Sequence, residues 1–364
     1  MTDKYNSFLD KIPKASRICV WGTGQASEEV FRVISTQRAD IKIKFFVDSF
    51  NVGFFHDLEI INYKDLPKKE KEFDLIILAS YLLQKSMIRL LNGVSKKPYI
   101  GIDWHCENKE VSKYKPEYEK VIELLNDEQD KYIYSSAINA IELGDFSFFE
   151  QYVKRNFTDK NKNIYSNEYM DFINKDIIKT VIDGGACNGR NSAQFRHEFS
   201  AVEKIYVFEP LKEHLNMSLI NDKEVFEIVE KGIWDKKETL VFKKDKSSSK
   251  IINENEVYPD NELFTKIETI SLDEFVKEKN IKNIDFIKFD IEGSELNGLK
   301  GAKDIIISSR PQMAICLYHS IKDYYTIPLY LDEILTDYVY KIGHYSATNF
   351  DTVLYAIPKE VYNH

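Results

Sequence analysis

Two groups of residues in this chain have types and spacings suited to chemistry. The first is Asp183-Gly184-Gly185-Ala186-Cys187-Asn188-Gly189, followed twenty positions after Gly189 by Glu209 in the run IYVFEP. Glycines at a strand end let a ligand approach the backbone, and a helix starting behind them turns its positive end toward that ligand. A dinucleotide would suit such a turn equally well; the acids discriminate. A pyrophosphate beside Asp183 would be repelled by roughly 3 kcal/mol per charge pair at ~5 Å and an effective dielectric of ~20. The ammonium and sulfonium of S-adenosylmethionine would be attracted. Glu209 is placed to accept both ribose hydroxyls. The expected donor site is Asp183, Gly184, Gly185, Gly189 and Glu209. Trp234, in KGIWD, is either an adenine-stacking residue or an ordinary aromatic of core or surface. The competing reading is a nucleotide-free domain whose glycines only tighten packing.

The second group is Asp290, Glu292 and Glu295 after the strand-like run IDFIKF, with His319 after MAICLY. A hydroxyl is a poor nucleophile near neutral pH and needs a general base or an acidifying metal. Asp290 and His319 are the expected reaction-side pair, with Glu292 beside them. His319 would accept the hydroxyl proton while a carboxylate orients it. Alternatively, Asp290, Glu292 and His319 would hold one Mg²⁺, although the spacing matches no dedicated metal motif. Glu295 reads as a helix N-terminal acid stabilised by the macrodipole, and Gly293 as a turn glycine. His344, in the tail HYSATN, reads as a surface or substrate-contacting residue, and His197 and His214 as structural.

These residues need strands to carry them. Two segments open alike, RICVWGTGQASEEVFRVI and KTVIDGGACNGRNSAQF: an apolar run, a glycine turn, then helix formers. Two such openings imply an α/β protein with two Rossmann-like doubly wound domains. We divide the chain into a small first domain (1–107), a helical connector (108–164, with Tyr114 to Arg155 reading as helix) and a second domain (165–364). In the second, strands are expected at Val181–Ile182, Ile205–Phe208, Ile228–Val229, Leu240–Phe242, Ile267–Ile270, Ile284–Phe289 and Met313–Leu317. Tyr338–Ile342 and Val353–Ile357 close it as an antiparallel hairpin at the sheet edge. In the first domain, Gly22-x-Gly24 with Asp48 ending the next strand is a partial dinucleotide fingerprint. Ser27 stands where the third glycine belongs. That domain would bind a nucleotide or serve as a scaffold or homo-oligomer contact. Tyr81 and Lys85 share the spacing of a dehydrogenase pair by coincidence.

Composition sets the outer bounds. A net charge of -9 over 364 residues, with no basic patch, argues against nucleic acid as a partner. Cys19, Cys106, Cys187 and Cys316 have no metal or redox spacing and read as reduced, buried thiols. The run Leu75 to Leu83 is too short to span a bilayer, and MTDKYNSFLDKIPK has no apolar signal core. The expectation is a cytoplasmic protein without a transmembrane segment.

The segment IDFIKFDIEGSELNGLKGA, with Asp285, Lys288, Asp290, Glu292, Gly293, Glu295, Leu299 and Gly301, resembles the FkbM-type methyltransferase family. IDGGACNG, VFEP, ETISLDEF, RPQMAICLYH and HYSATNFDTVLYAI follow that family's order across about residues 165–364. The resemblance implies a class I methyltransferase fold ending in the hairpin, with S-adenosylmethionine as donor. It also implies O-methylation of a sugar or secondary-metabolite hydroxyl, often for surface polysaccharide. Two other functions stand beside it: a nicotinamide-dependent oxidoreductase or epimerase of a nucleotide sugar, and a non-catalytic nucleotide-binding module. Asp183 and Glu209 favour the methyltransferase; Ser27 and the short first domain count against the oxidoreductase; the acids and histidine at adjoining strand ends count against the module.

Overall fold

The computed structural model describes residues 6–49, 51–80, 84–102, 111–143, 168–243, 250–252, 264–346 and 350–362. Tyr81, Cys106 and the 144–155 part of the expected helical stretch lie outside them. The chain divides into two compact units, residues 1–108 with 141–144, and residues 109–140 with 145–364. No helix among the described residues is long and apolar enough to cross a membrane.

The first unit is built on β1 (Arg17–Trp21), β2 (Lys42–Asp48), β3 (Gly53–Phe55), β4 (Leu58–Asn62), β5 (Leu75–Leu78) and β6 (Tyr99–Gly101), in the order β3-β4-β2-β1-β5-β6. All pairs are parallel except β3 with β4. Successive residues of β1 point to opposite faces, as the period of a strand requires. Ile18 and Val20 enter one core with Val30, Val33 and Ile34 of the helix Gln25–Gln37. Cys19 and Trp21 enter the other with Phe45 and Phe73. A sheet covered on both faces explains why LIIL and RICVW are continuous apolar runs.

The second unit carries β7 (Thr180–Gly184), β8 (Lys204–Phe208), β9 (Phe226–Val229), β10 (Gly232–Ile233), β11 (Thr239–Lys243), β12 (Lys250–Ile252), β13 (Phe264–Ile270), β14 (Phe286–Phe289), β15 (Gln312–Cys316), β16 (Tyr338–His344) and β17 (Thr352–Pro358). Seven of them form one sheet in the order β16-β17-β15-β14-β7-β8-β9. From β9 to β15 every pairing is parallel; β17 runs antiparallel to β15, and β16 antiparallel to β17 at the edge. The runs at 240–242 and 267–270 are strands of a separate four-stranded sheet, β10-β13-β11-β12. Parallel neighbours need long crossover connections, and short links such as that between β11 and β12 give antiparallel pairs instead. The helix Lys115–Leu124 and the 128–140 part of the helix Glu128–Leu143 also serve this unit. Tyr118 donates to the Ile321 carbonyl and Tyr134 to that of Tyr324, while Lys341 bridges Asp127 and Asp130.

The strand order fixes where a ligand can sit. The chain leaves β7 toward β8 on one side and returns as β14 on the other, and in such a sheet ligands bind at the carboxyl ends of the strands where the order reverses. Gly184 to Gly189 follow β7, and Asp290 to Glu295 follow β14.

Candidate active site

The glycine turn is held open by close approach and by buried charge. Gly185 has φ +73°, and a Cβ there would lie 1.8 Å from the Asp290 carbonyl oxygen, so no other residue fits. Gly189, at φ +79°, caps the helix Arg190–Glu198. At Gly184 a Cβ would meet Phe289 at 2.8 Å and Ile233 at 2.9 Å, which brings the end of β10 against the turn.

Asp183 is not where the electrostatic argument put it. Its side chain is fully buried under the turn; Oδ2 accepts from Ser192 Oγ at 2.5 Å, and Oδ1 lies 3.2 Å from Nζ of the equally buried Lys288. Lys288 also donates to the carbonyls of Gly184 and Gly185, at 3.0 and 2.9 Å. Burial works against the Lys288 ammonium, but Asp183 and Asp290 outweigh it and hold its pKa above the ordinary value. The sequence reading assigned Lys288 no role. The signal was there: a lysine inside FIKF, in a strand buried on both faces, has to be paired.

Glu209 ends β8 beneath the same turn. Its two oxygens accept from the backbone N–H groups of Cys187 (3.1 Å) and Leu211 (3.0 Å), and His214 Nδ1 is 3.5 Å away. Burial raises its pKa against those donors. Each oxygen keeps a second lone pair, so the carboxylate is oriented and still able to accept. Trp234 is half-buried; its backbone N–H donates to the Ile270 carbonyl, and its own carbonyl lies where a Cβ on Gly301 would be 2.2 Å away.

The second group converges as its spacing suggested. His319, with a side chain only 8% exposed, has Nε2 3.4 Å from Asp290 Oδ1 and 3.4 Å from Glu292 Oε2, and Nδ1 2.9 Å from Glu295 Oε1. Burial disfavours the imidazolium, but Glu295, Asp290 and Glu292 overcome that and push the His319 pKa up to about 9. Asp290 accepts from the hydroxyls of Tyr169 and Tyr318, each at 3.0 Å. Burial opposes its charge; Lys288, His319 and the two hydroxyls together hold its pKa below the ordinary value. Glu292 stands at φ +57° with its side chain 32% exposed, and burial first pushes its pKa up to about 7. Tyr169 comes from the segment just before β7, at φ +70°, and nothing in the sequence pattern marked it.

Among the described residues, Asp290, Glu295 and His319 offer one ligand atom each within 4.8 Å of one another, so this compact group has Glu295 in place of Glu292. The close contacts, however, put Glu295 on Nδ1 and both Asp290 and Glu292 on Nε2. An ion bound through Nε2 would take the latter two. His344 departs from its surface reading: it is buried at the end of β16, with Nδ1 2.9 Å from Thr352 Oγ1 across the hairpin. His197 is exposed beside Glu198. Cys19 and Cys316 are buried free thiols, and Cys187 is an exposed one.

Comparison with known proteins covers the stretch that carries these residues. Residues 183–342 match the family described as Methyltransferase FkbM domain. The match runs from Asp183 to Ile342 and so takes in the glycine turn, Glu209, Asp290 and His319. The chain is similar in fold to the Methyltransferase FkbM from Methylobacillus flagellatus KT, with a TM-score of 0.70 at 16% identity over 98% of this chain and 94% of that one. The O-methyltransferase from Bacillus cereus, solved in complex with SAH, aligns at a TM-score of 0.34 and 13% identity over 59% of this chain and 98% of its own. No curated protein matches the chain.

Proposed function

We propose that the FkbM domain transfers a methyl group from S-adenosylmethionine to a sugar hydroxyl, in the building of a surface glycan. The observation that carries this reading is the pairing of two groups: an oriented Glu209 under the glycine turn, and His319 with Asp290 and Glu292 at the neighbouring strand ends. The surplus of carboxylates suits a cationic donor and an uncharged acceptor. When bound, the donor supplies a methyl already activated on sulfonium, so the protein's work is positioning and proton transfer.

Glu209 accepts from the ribose hydroxyls with its spare lone pairs, and Trp234 offers a ring for the adenine. Asp183 acts through the turn: paired with Lys288 and Ser192, it holds Gly184 and Gly185 in the shape the donor meets. With its pKa raised against burial to about 9 by the surrounding carboxylates, His319 must first lose its own proton; Nε2 of the neutral ring then takes the acceptor proton as oxygen displaces the thioether, the C–O bond forming as the C–S bond breaks. Asp290, fixed by Tyr169 and Tyr318, faces the imidazolium that results. A second reading rests on the same nitrogen. A divalent ion between Nε2, Asp290 and Glu292 would acidify the hydroxyl instead of a base removing its proton.

The test is methyl transfer from labelled S-adenosylmethionine to a panel of neutral sugars, nucleotide sugars and glycans, with and without EDTA. Label on a sugar hydroxyl supports the proposal, and loss of transfer with EDTA selects the ion. Binding of NAD(H) with no binding of S-adenosylmethionine would overturn it in favour of redox chemistry.

A further inference from the structure

We propose that Glu295 is the positioning residue for His319, holding the ring through Nδ1 so that Nε2 is the nitrogen presented to the reaction side. The inference rests on the reading of His319 given above and adds a residue to it. Glu295 is the first residue of the six-residue helix Glu295–Lys300 and is fully buried. A helix N-terminal acid at the surface is explained by the macrodipole alone. A buried carboxylate is not, because it costs several kcal/mol unless it is paired. Glu295 Oε1 accepts from the Ile291 N–H at 2.8 Å and sits 2.9 Å from His319 Nδ1.

The other two carboxylates lie on the opposite nitrogen: Asp290 Oδ1 and Glu292 Oε2 are each 3.4 Å from Nε2. An ionised carboxylate only accepts hydrogen bonds, so in the neutral ring Glu295, 2.9 Å from Nδ1, draws the proton there ahead of the carboxylates 3.4 Å from Nε2 and leaves the lone pair on Nε2. The Glu295–His319 contact is close but bent. Contacts of this kind are often poorly aligned without substrate and straighten in the complex. The assignment holds whether Nε2 receives a proton or an ion, since a carboxylate behind a histidine orients it in either case.

The experiment combines Glu295→Gln, Glu295→Asp, His319→Ala and the Glu295→Gln/His319→Ala pair with nitrogen-15 NMR of the full-length protein labelled at histidine. Glu295→Gln is expected to lower kcat by about 10–100-fold with donor affinity unchanged. Glu295→Asp should recover part of the loss, and Glu295→Gln should cost nothing further once His319 is alanine. In the wild type, neutral His319 should carry its proton on Nδ1, and that preference should weaken in Glu295→Gln. An undiminished effect in the His319→Ala background would overturn the proposal, and so would a wild-type proton on Nε2. The NMR result needs no substrate, so failure of the methyltransferase reading would show as absent transfer while the ring proton still decides the role of Glu295.

Discussion

The two units begin with the same device and use it differently. In the first, β1 leads into Gly22, at φ +124°, where a Cβ would lie 2.7 Å from the Ala79 carbonyl and 2.9 Å from Ser27 Oγ. The space that a third glycine would open is filled by Ser27. The acid ending β2 is already occupied: Asp48 accepts from Thr23 Oγ1 and from the Asn51 N–H, and Asn51 Nδ2 donates back to Thr23. In the second unit the corresponding acid, Glu209, accepts from two backbone N–H groups and lies 3.5 Å from His214 Nδ1, and the loops after β14 and β15 bring His319 among Asp290, Glu292 and Glu295. A glycine turn is therefore a fold element first. What distinguishes the second is the cluster of titratable groups at its adjoining strand ends.

The largest expected effect separates the buried charges of the second unit from the surface charges of the first. Lys288→Met strands Asp183 without its counter-charge and should cost about 3–5 kcal/mol, read as a fall in the denaturation midpoint. Removing Arg17, whose partner Asp74 shares its exposure at the surface, should leave the midpoint nearly where it was. Equal losses from the two substitutions would erase the contrast.

A smaller effect is the opposite pH dependence of the two units. Arg17, first through its hydrogen bond, lowers the pKa of Asp74 to about 2, so its contribution is present at neutral pH and fades as pH falls through that value. In the second unit, burial raises Glu168 to about 8, Asp323 to about 7 and Asp351 to about 6. These groups bind protons more tightly folded than unfolded, so their contribution is complete below about pH 4 and is lost as pH rises toward 8. Hydrogen exchange read on peptides from β1 and β5 and from β14 and β15, between pH 5 and 8, should show protection falling with pH in the second set only. Parallel trends would mean that the raised carboxyls do not govern this unit.

The sequence made local chemistry legible and left cross-strand pairing hidden. Gly185, Glu209, Asp290, Glu292 and His319 could be placed at or just after the ends of β7, β8, β14 and β15 because the apolar runs mark those strands. Asp183 was misplaced because its partner lies opposite it in the β7–β14 register, where Lys288 pairs with Asp183. His344 was misjudged for the same reason, since Thr352 is its register partner on β17. The four-stranded sheet was invisible as a separate layer because its strands have the same apolar pattern as those of the main sheet. Glu295 has a residue type that fits a helix start, and only its burial shows more.

The central claim is that the second glycine turn, and not the first, takes the methyl donor. Calorimetric titration of S-adenosylmethionine into the wild type, Glu209→Ala and Asp48→Ala tests it directly. The account predicts one molecule bound per chain, affinity weakened about 10–100-fold in Glu209→Ala, as loss of hydrogen bonds worth about 1.5–3 kcal/mol requires, and wild-type affinity in Asp48→Ala. Unweakened binding in Glu209→Ala, or binding abolished in Asp48→Ala, would contradict it.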